Sequence, residues 1–195
     1  SDLDTTPCAE PAGSIATNVG VVVGCADGAV LAVSDAAGTT LERIPYPEGG
    51  PSRALLFANR EGRPTVAGRT ESSAFWLLDT RERTWTAHDA GEPLVRVTAI
   101  DDADETVVAL AADGSVIVIS GATGQQVSRT EPLVAASLAD PALAAGVDLV
   151  ADQRRTYLNG PAERTLFEID PADGGRVARS FTTEHAPAFF AETGR

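Results

Sequence analysis

The sequence predicts an all-β protein of the β-propeller type, with about four blades of four-stranded antiparallel sheet that form part of a larger propeller. Two observations support this prediction. Two pairs of segments within the chain align with each other without a gap, and a common ending recurs four times along the chain. A β-sandwich with coincidental spacing is the alternative, but gapless internal repeats favour the propeller.

The first aligned pair consists of residues 20–34 and 106–120, offset by 86 residues. Each segment is an apolar run rich in β-branched residues, an Asp-Gly pair and a second apolar run. Asp-Gly favours the positive φ angles of a type I′ turn. We therefore expect a β-hairpin around Asp27-Gly28 and another around Asp113-Gly114.

The second aligned pair, residues 64–79 and 155–170, interleaves with the first. In all four segments a polar residue follows the second apolar run, and then come a short turn and an apolar residue that starts a further strand. The four polar residues, spaced by 44, 41 and 50 positions, are Asp35, Asp79, Ser120 and Asp170. A repeat of this length is typical of propeller blades, which must stack because one blade cannot bury its faces alone.

Residues 1–14 are predicted to form an extended N-terminal arm, and residues 15–195 the blades. The blades are assigned approximately to 15–50, 51–92, 93–132 and 133–195. The last blade contains an insertion rich in Ala and Leu, Ala136 to Gly146, that forms a short helical turn or a loop. Because more than four blades are commoner, we expect further blades outside this sequence; a complete small propeller is the alternative. An open blade face would favour self-association.

Charge and hydropathy exclude several classes of partner. The net charge is −13, which argues against nucleic acid and against anionic lipid as main partners. No run reaches the roughly 18 apolar residues that a membrane-spanning helix needs, so we expect no membrane span. Aromatic residues make up only 5% of the chain, so the core must be largely aliphatic.

The two cysteines, Cys8 and Cys25, lack the Cys-x-x-Cys spacing of redox and zinc-ribbon motifs. A disulfide between them would close a loop of about 17 residues and contribute roughly 3 kcal/mol. Two buried free thiols are the alternative. We favour the disulfide, because the absence of Met and the acidic, Lys-free composition fit an exported protein. The expected location is therefore extracytoplasmic, whether secreted, cell-surface or periplasmic.

Residues that could carry chemistry are few. His88 and His185 are the only histidines, and each lies beside a carboxylate, as zinc-ligating histidines often do. A histidine pair so far apart is no metal motif, and an ordinary surface histidine is the simpler interpretation of each. His185 is the better candidate metal ligand, because it lies on the turn before Phe189 and Phe190, where propellers commonly bind ligands.

Other polar and aromatic features have simple structural interpretations. The acidic run from Asp101 to Glu105 could hold Ca²⁺ but is expected to be a solvated turn. Trp76 is expected to pack between blades and Trp85 to cap the third strand of its own blade, rather than to stack on a quinone. The sequence lacks the Gly-x-Ser-x-Gly, His-Glu-x-x-His and Walker motifs. No catalytic residue is therefore predicted.

The stretch from Cys8 to Gly28 resembles the AztD-type zinc chaperones, through Cys8, Gly13 and the run Gly24-Cys25-Ala26-Asp27-Gly28. The resemblance implies an exported propeller that hands zinc to the solute-binding protein of a metal ABC importer. Ala12 and Ser14 stand where the family has His and Glu, so His185 remains the candidate ligand in this chain. Away from this stretch the blades are similar to quinoprotein-like and WD40-like propellers in general.

The sequence thus predicts an exported, non-enzymatic propeller that binds a partner, with a zinc chaperone-like role beside an ABC importer. A protein–protein interaction scaffold is the first alternative. An enzyme of the quinoprotein-like or lactonase-like kind is the second, although the cofactor floor or central carboxylate-rich metal site that such an enzyme needs is not evident.

Overall fold

The computed structural model describes residues 5–191 and shows four sheets, each of four antiparallel strands in sequence order. Blade 1 contains β1 Ser14–Ala16, β2 Val21–Cys25, β3 Gly28–Asp35 and β4 Gly38–Pro45. Blade 2 contains β5 Leu56–Ala58, β6 Thr65–Arg69, β7 Ala74–Asp79 and β8 Thr84–Asp89. Blade 3 contains β9 Leu94–Ala99, β10 Thr106–Ala111, β11 Val116–Ser120 and β12 Gln126–Arg129. Blade 4 contains β13 Leu149–Ala151, β14 Thr156–Gly160, β15 Thr165–Asp170 and β16 Arg176–Thr182.

The all-β propeller prediction is confirmed, because the four sheets are separate and each holds four consecutive strands. The internal repeat coincides with the strands: in every blade the third strand ends at the polar residue of the common ending. We call these the strand-end residues; they are Asp35, Asp79, Ser120 and Asp170. Parts of the predicted arm and of the last blade, residues 1–4 and 192–195, lie outside the described residues.

The two Asp-Gly hairpins are present, but the predicted type I′ turn is wrong, because neither Asp27 nor Asp113 has a positive φ. In blade 3 the Asp113 carboxylate accepts hydrogen bonds from the Ser115 amide and hydroxyl, at 2.9 and 2.7 Å. Among the loop residues 112–114, Gly114 alone has a positive φ, of 90°. The loop is therefore a three-residue connection closed by a glycine, another common hairpin geometry.

The insertion before blade 4 forms two short helices, α1 Ala135–Ala139 and α2 Pro141–Ala144. The side chain of Asp140 caps α2 by accepting a hydrogen bond from the Ala142 amide at 2.9 Å. Among residues 5–191 no helix is long and apolar enough to cross a lipid bilayer.

The first strands of neighbouring blades contact one another in the order β1, β5, β9 and β13, so they are the innermost strands of the arc. Since strands alternate in direction, the turns after the first and third strands of each blade share one end of the arc, which we call face 1. The turns after the second strands and the connections between blades form the opposite end, face 2.

Three apolar cores lie between successive blades. Both tryptophans belong to the core between blades 1 and 2, where the Tyr46 ring lies 4.7 Å from Trp76 and 4.8 Å from Trp85, centroid to centroid. The interblade position predicted for Trp76 is confirmed. The prediction for Trp85 is wrong: its indole donates a hydrogen bond to the carbonyl of Ile44, in blade 1, at 3.0 Å.

Candidate functional site

A cleft of about 320 Å³ lies on face 1, between blades 2 and 3. Its wall is rich in hydroxyl and carboxylate groups and includes one guanidinium. These side chains are Thr65, Thr84, Thr86, Thr106, Asp79, Asp101, Asp102, Glu105 and Arg81. The cleft is therefore polar and acidic.

Asp101 holds the two walls of the cleft together. It follows the first strand of blade 3, and its carboxylate accepts hydrogen bonds from two residues of blade 2, Arg63 through Nε at 2.6 Å and the hydroxyl of Thr65. The backbone carbonyl of Asp101 accepts two further bonds, from Arg63 Nη2 at 3.2 Å and Arg60 Nη2 at 3.4 Å. The side chain of Asp101 is 11% exposed and that of Arg63 40%, so only the carboxylate side of this ion pair is shielded from water.

The rest of the acidic run is a structured loop. The Asp102 carboxylate accepts the Thr106 amide at 2.8 Å, and the Asp102 carbonyl accepts the Glu105 amide at 3.2 Å. Asp104 and Glu105 are exposed, as expected of a solvated turn, whereas Asp101 is not. Within residues 5–191 no three His, Cys, Asp or Glu side chains are arranged to hold a metal ion, so this loop provides no Ca²⁺ cage.

Two groups, one on the cleft wall and one beside it, have shifted pKa values. Burial raises the pKa of Asp79, but hydrogen bonds from the Arg81 side chain and from the Arg81 and Glu82 amides outweigh this, and the net shift is downward. Desolvation, followed by the nearby charge of Arg63, lowers the pKa of Arg60. Hydrogen bonds therefore stabilise the Asp79 carboxylate as an anion on the cleft wall. Arg60 lies beside the cleft, near the positive charge of Arg63.

The sequence did not reveal Arg60, Arg63 and Thr65 as partners of the acidic run. The available signal was the position of Asp101 directly after the apolar first strand of its blade, where a polar residue reaches the loop of a neighbouring blade. Pairing with blade 2 is a contact across 36 to 41 residues, which no local motif encodes.

Neither histidine lines this cleft, and the two have different surroundings. His88 lies on β8, and its Nε2 donates a hydrogen bond to the Gly121 carbonyl of blade 3 at 2.7 Å. His185 is exposed and follows β16 on face 2, where its carbonyl accepts the Thr183 hydroxyl at 2.6 Å. The described residues place no second and third metal donor beside His185.

Face 2 also carries the disulfide between Cys8 and Cys25, with a Cα–Cα distance of 5.1 Å. Neither cysteine is therefore a free thiolate that could bind zinc. The N-terminal segment continues to blade 2, because Arg53 pairs with Glu10 at 2.8 Å. The crosslink thus fastens a segment that contacts two blades.

No protein-family model and no curated protein sequence matches the chain. Solved structures match it by fold. Apo AztD from Citrobacter koseri matches with a TM-score of 0.77 and 14% identity, over 95% of this chain and 50% of that one.

WD40 propellers match less closely. The WD40 repeats of RRP9 match with a TM-score of 0.59 and 11% identity, over 91% of this chain and 52% of that one. The β-propeller domain of Cps50 (Swd1) from Myceliophteria thermophila also reaches 0.59, at 11% identity, over 94% of this chain and 58% of that one. The chain spans about half the length of these solved chains. Its fold is that of AztD-like and WD40-like β-propellers.

Proposed function

We propose that this chain belongs to an exported, non-enzymatic β-propeller that binds another protein and acts as a zinc chaperone-like accessory of a metal ABC importer. The observation that carries the proposal is the match to apo AztD over 95% of the chain at a TM-score of 0.77. The Cys8–Cys25 disulfide supports export, since disulfides persist in oxidising compartments.

The cleft on face 1 is the surface that we assign to the protein partner. Its loops stand on a rigid β scaffold, which is where binding residues commonly lie. Asp101 accepts a hydrogen bond from Arg63, and the contacts described above lower the pKa of Asp79. A partner with basic side chains would complement this acidic wall, and the solute-binding protein of a metal importer is the partner we propose.

Zinc is proposed as cargo, with His185 as the ligand from this chain. The described residues do not complete a zinc site, so His185 would share the ion with donors from outside the described part. An exposed histidine on face 2 suits such a shared site, because its imidazole is open to solvent.

Competition for zinc with a chromophoric chelator tests whether this chain binds zinc through His185. The protein and a His88→Gln variant should withdraw zinc from the chelator, and His185→Ala should do so with roughly tenfold lower affinity or less. His88 is the matched control because its ring is already engaged by Gly121. No competition by the unaltered protein, or equal affinity in His185→Ala, would contradict a zinc role for this chain.

A protein–protein interaction scaffold is the second candidate, favoured by the lack of free thiols and of a three-donor cluster in residues 5–191. Co-purification with the solute-binding protein separates the two candidates. A partner retained equally with zinc and with chelator indicates a scaffold, and one retained only with zinc indicates a metal carrier.

A further inference from the structure

A second cavity lies on face 1 beside the cleft, and arginine side chains dominate its wall. Its volume is about 480 Å³, which is enough for a small organic ligand. Three guanidiniums, two carboxylates and one amide line it: Arg60, Arg63, Arg81, Asp101, Asp102 and Gln153. In a chain whose net charge is −13, this lining is a local excess of positive charge. We call this cavity the arginine pocket.

The charged residues of the arginine pocket belong to blades that have a neighbour on both sides. Arg60 and Arg63 lie in the loop after β5 of blade 2, and Asp101 and Asp102 lie in the loop after β9 of blade 3. Blade 2 shares cores with blades 1 and 3, and blade 3 shares cores with blades 2 and 4. The pocket therefore forms at a junction inside the chain.

Two of the three arginines are already paired with carboxylates. Arg63 donates through Nε to Asp101 at 2.6 Å, and Arg81 donates through Nη2 to Asp79 at 3.2 Å. The Arg60 guanidinium forms no ion pair within residues 5–191, and its one hydrogen bond there is a long contact of 3.4 Å to the Asp101 carbonyl. The other N–H groups of Arg60 can therefore donate to a ligand.

The surroundings leave the positive charge of Arg60 incompletely compensated. Burial, followed by the nearby charge of Arg63, lowers the pKa of Arg60. The carboxylates of Asp101, Asp102 and Asp152 act in the opposite direction, but they do not outweigh the first two effects. An anion placed against the Arg60 guanidinium would supply the missing compensation.

The neighbouring carboxylates are engaged by other donors. Asp102 accepts the Thr106 amide at 2.8 Å, and Asp152 accepts the amides of Arg154 and Arg155, both at 2.6 Å. These bonds hold the two carboxylates to their own loops, where they form no ion pair with the guanidinium in the pocket.

We propose that the arginine pocket binds a carboxylate group, with Arg60 as its principal partner and Arg63 and Gln153 beside it. The planar guanidinium can donate to both oxygens of a carboxylate. One uncompensated cation suits a monoanion, because Asp101 and Asp102 would repel the second negative charge of a phosphate. The site is independent of the zinc proposal, since His185 lies on face 2.

The carboxylate can come from a small organic acid or from an Asp or Glu side chain of a protein partner on face 1. Two probes distinguish these sources. Sodium acetate represents the small acid, and the blocked tripeptide acetyl-Gly-Asp-Gly-amide carries a side-chain carboxylate as its only charge. At least roughly tenfold tighter binding of the peptide would indicate the protein source, and equal or tighter binding of acetate would indicate the small acid.

Nuclear magnetic resonance of the ¹⁵N-labelled protein tests the site directly. Titration with acetate or with the Asp peptide should shift the Arg60 Nε–Hε signal until it saturates. The matched peptide acetyl-Gly-Asn-Gly-amide should leave this signal unchanged, because its side chain is neutral. An Arg60 signal that neither carboxylate probe shifts, or tighter binding of sodium phosphate than of acetate, would overturn the proposal.

Arginine variants test the assignment by calorimetry. Arg60→Gln keeps a hydrogen-bonding amide but removes the charge, so it should weaken binding of the carboxylate probes roughly tenfold or more. Arg154→Gln is the matched control, because Arg154 also forms no ion pair within residues 5–191 but lines a different cavity, between blades 3 and 4. It should bind both probes like the unaltered protein. Undiminished affinity in Arg60→Gln, or an equal loss in Arg154→Gln, would contradict the role of Arg60.

Discussion

Asp101 determines how blades 2 and 3 meet on face 1. Its φ of 55° lies in the left-handed region, which Asp and Asn tolerate better than most residues. In this conformation the Asp101 carboxylate accepts hydrogen bonds from Arg63 and Thr65. The Asp101 backbone carbonyl accepts further hydrogen bonds from Arg60 and Arg63. One residue thereby connects the loops of two blades at the wall of the cleft.

Asp101→Asn should lower the free energy of unfolding by about 1 to 3 kcal/mol, because it removes charge-assisted hydrogen bonds. Asn retains the tolerance for positive φ, so backbone strain does not contribute. Urea unfolding measures the effect. Asp104→Asn, on the exposed part of the same loop, is the control and should change stability by less than about 0.5 kcal/mol. Equal effects of the two substitutions would contradict the role assigned to Asp101.

At the scale of elements, the N-terminal segment extends the edge of blade 1. The Ala12 amide donates to the Gly24 carbonyl at 3.0 Å, and the Ala26 amide to the Ala9 carbonyl at 2.8 Å. Gly24 permits this approach, since a Cβ there would lie 2.3 Å from the Ala12 carbonyl oxygen. The disulfide is therefore one of several contacts that hold the segment to β2.

Replacing both Cys8 and Cys25 by Ser should cost roughly 3 kcal/mol, because the 17-residue separation no longer restricts the unfolded chain. Urea midpoints of the unaltered protein with and without reductant, beside the double variant, measure this. Reductant should lower the urea midpoint of the wild-type protein to that of the double variant, and it should leave the midpoint of the variant unchanged. If complete reduction does not change the urea midpoint of the wild-type protein, the disulfide does not stabilise the fold.

At the scale of the whole molecule, successive blades share cores, so each blade depends on its neighbours. Both tryptophans lie between blades 1 and 2, and the Trp76 indole donates to the Ser52 carbonyl at 2.9 Å. Tryptophan fluorescence therefore reports one end of the arc. The fully buried Leu158 lies in the core between blades 3 and 4, at the other end.

Leu158→Ala should destabilise the protein by about 2 to 5 kcal/mol through the cavity it creates. If the blades unfold as one unit, tryptophan fluorescence and far-ultraviolet circular dichroism will shift to the same lower urea midpoint. Phe189→Ala, at an exposed position, should move neither signal. A fluorescence midpoint that stays unchanged while circular dichroism shifts would show that the two ends unfold independently.

Strand positions and blade number followed from the sequence because hairpins and apolar runs are local signals. Asp27-Gly28 and Asp113-Gly114 mark their hairpins even though the turn type differs from the predicted one. The disulfide was one of two open interpretations, and the structure contains it.

The candidate cleft followed from the sequence only as an acidic run. The shielding of Asp101, whose side chain is 11% exposed, and its cationic partners became apparent only through the stacking of blades 2 and 3. The role of His185 in zinc binding is still a prediction, since ligands from elsewhere would have to complete the site.

The sequence by itself determined that the chain is a series of similar β-sheets, because backbone preferences and alternating hydrophobicity act over a few residues. Only the tertiary structure decided which carboxylates are buried, which face carries each loop, and that Val21 is exposed at a position that is buried in other blades. The reason is physical: ion pairing and burial depend on residues dozens of positions away, whose proximity arises only when the blades pack.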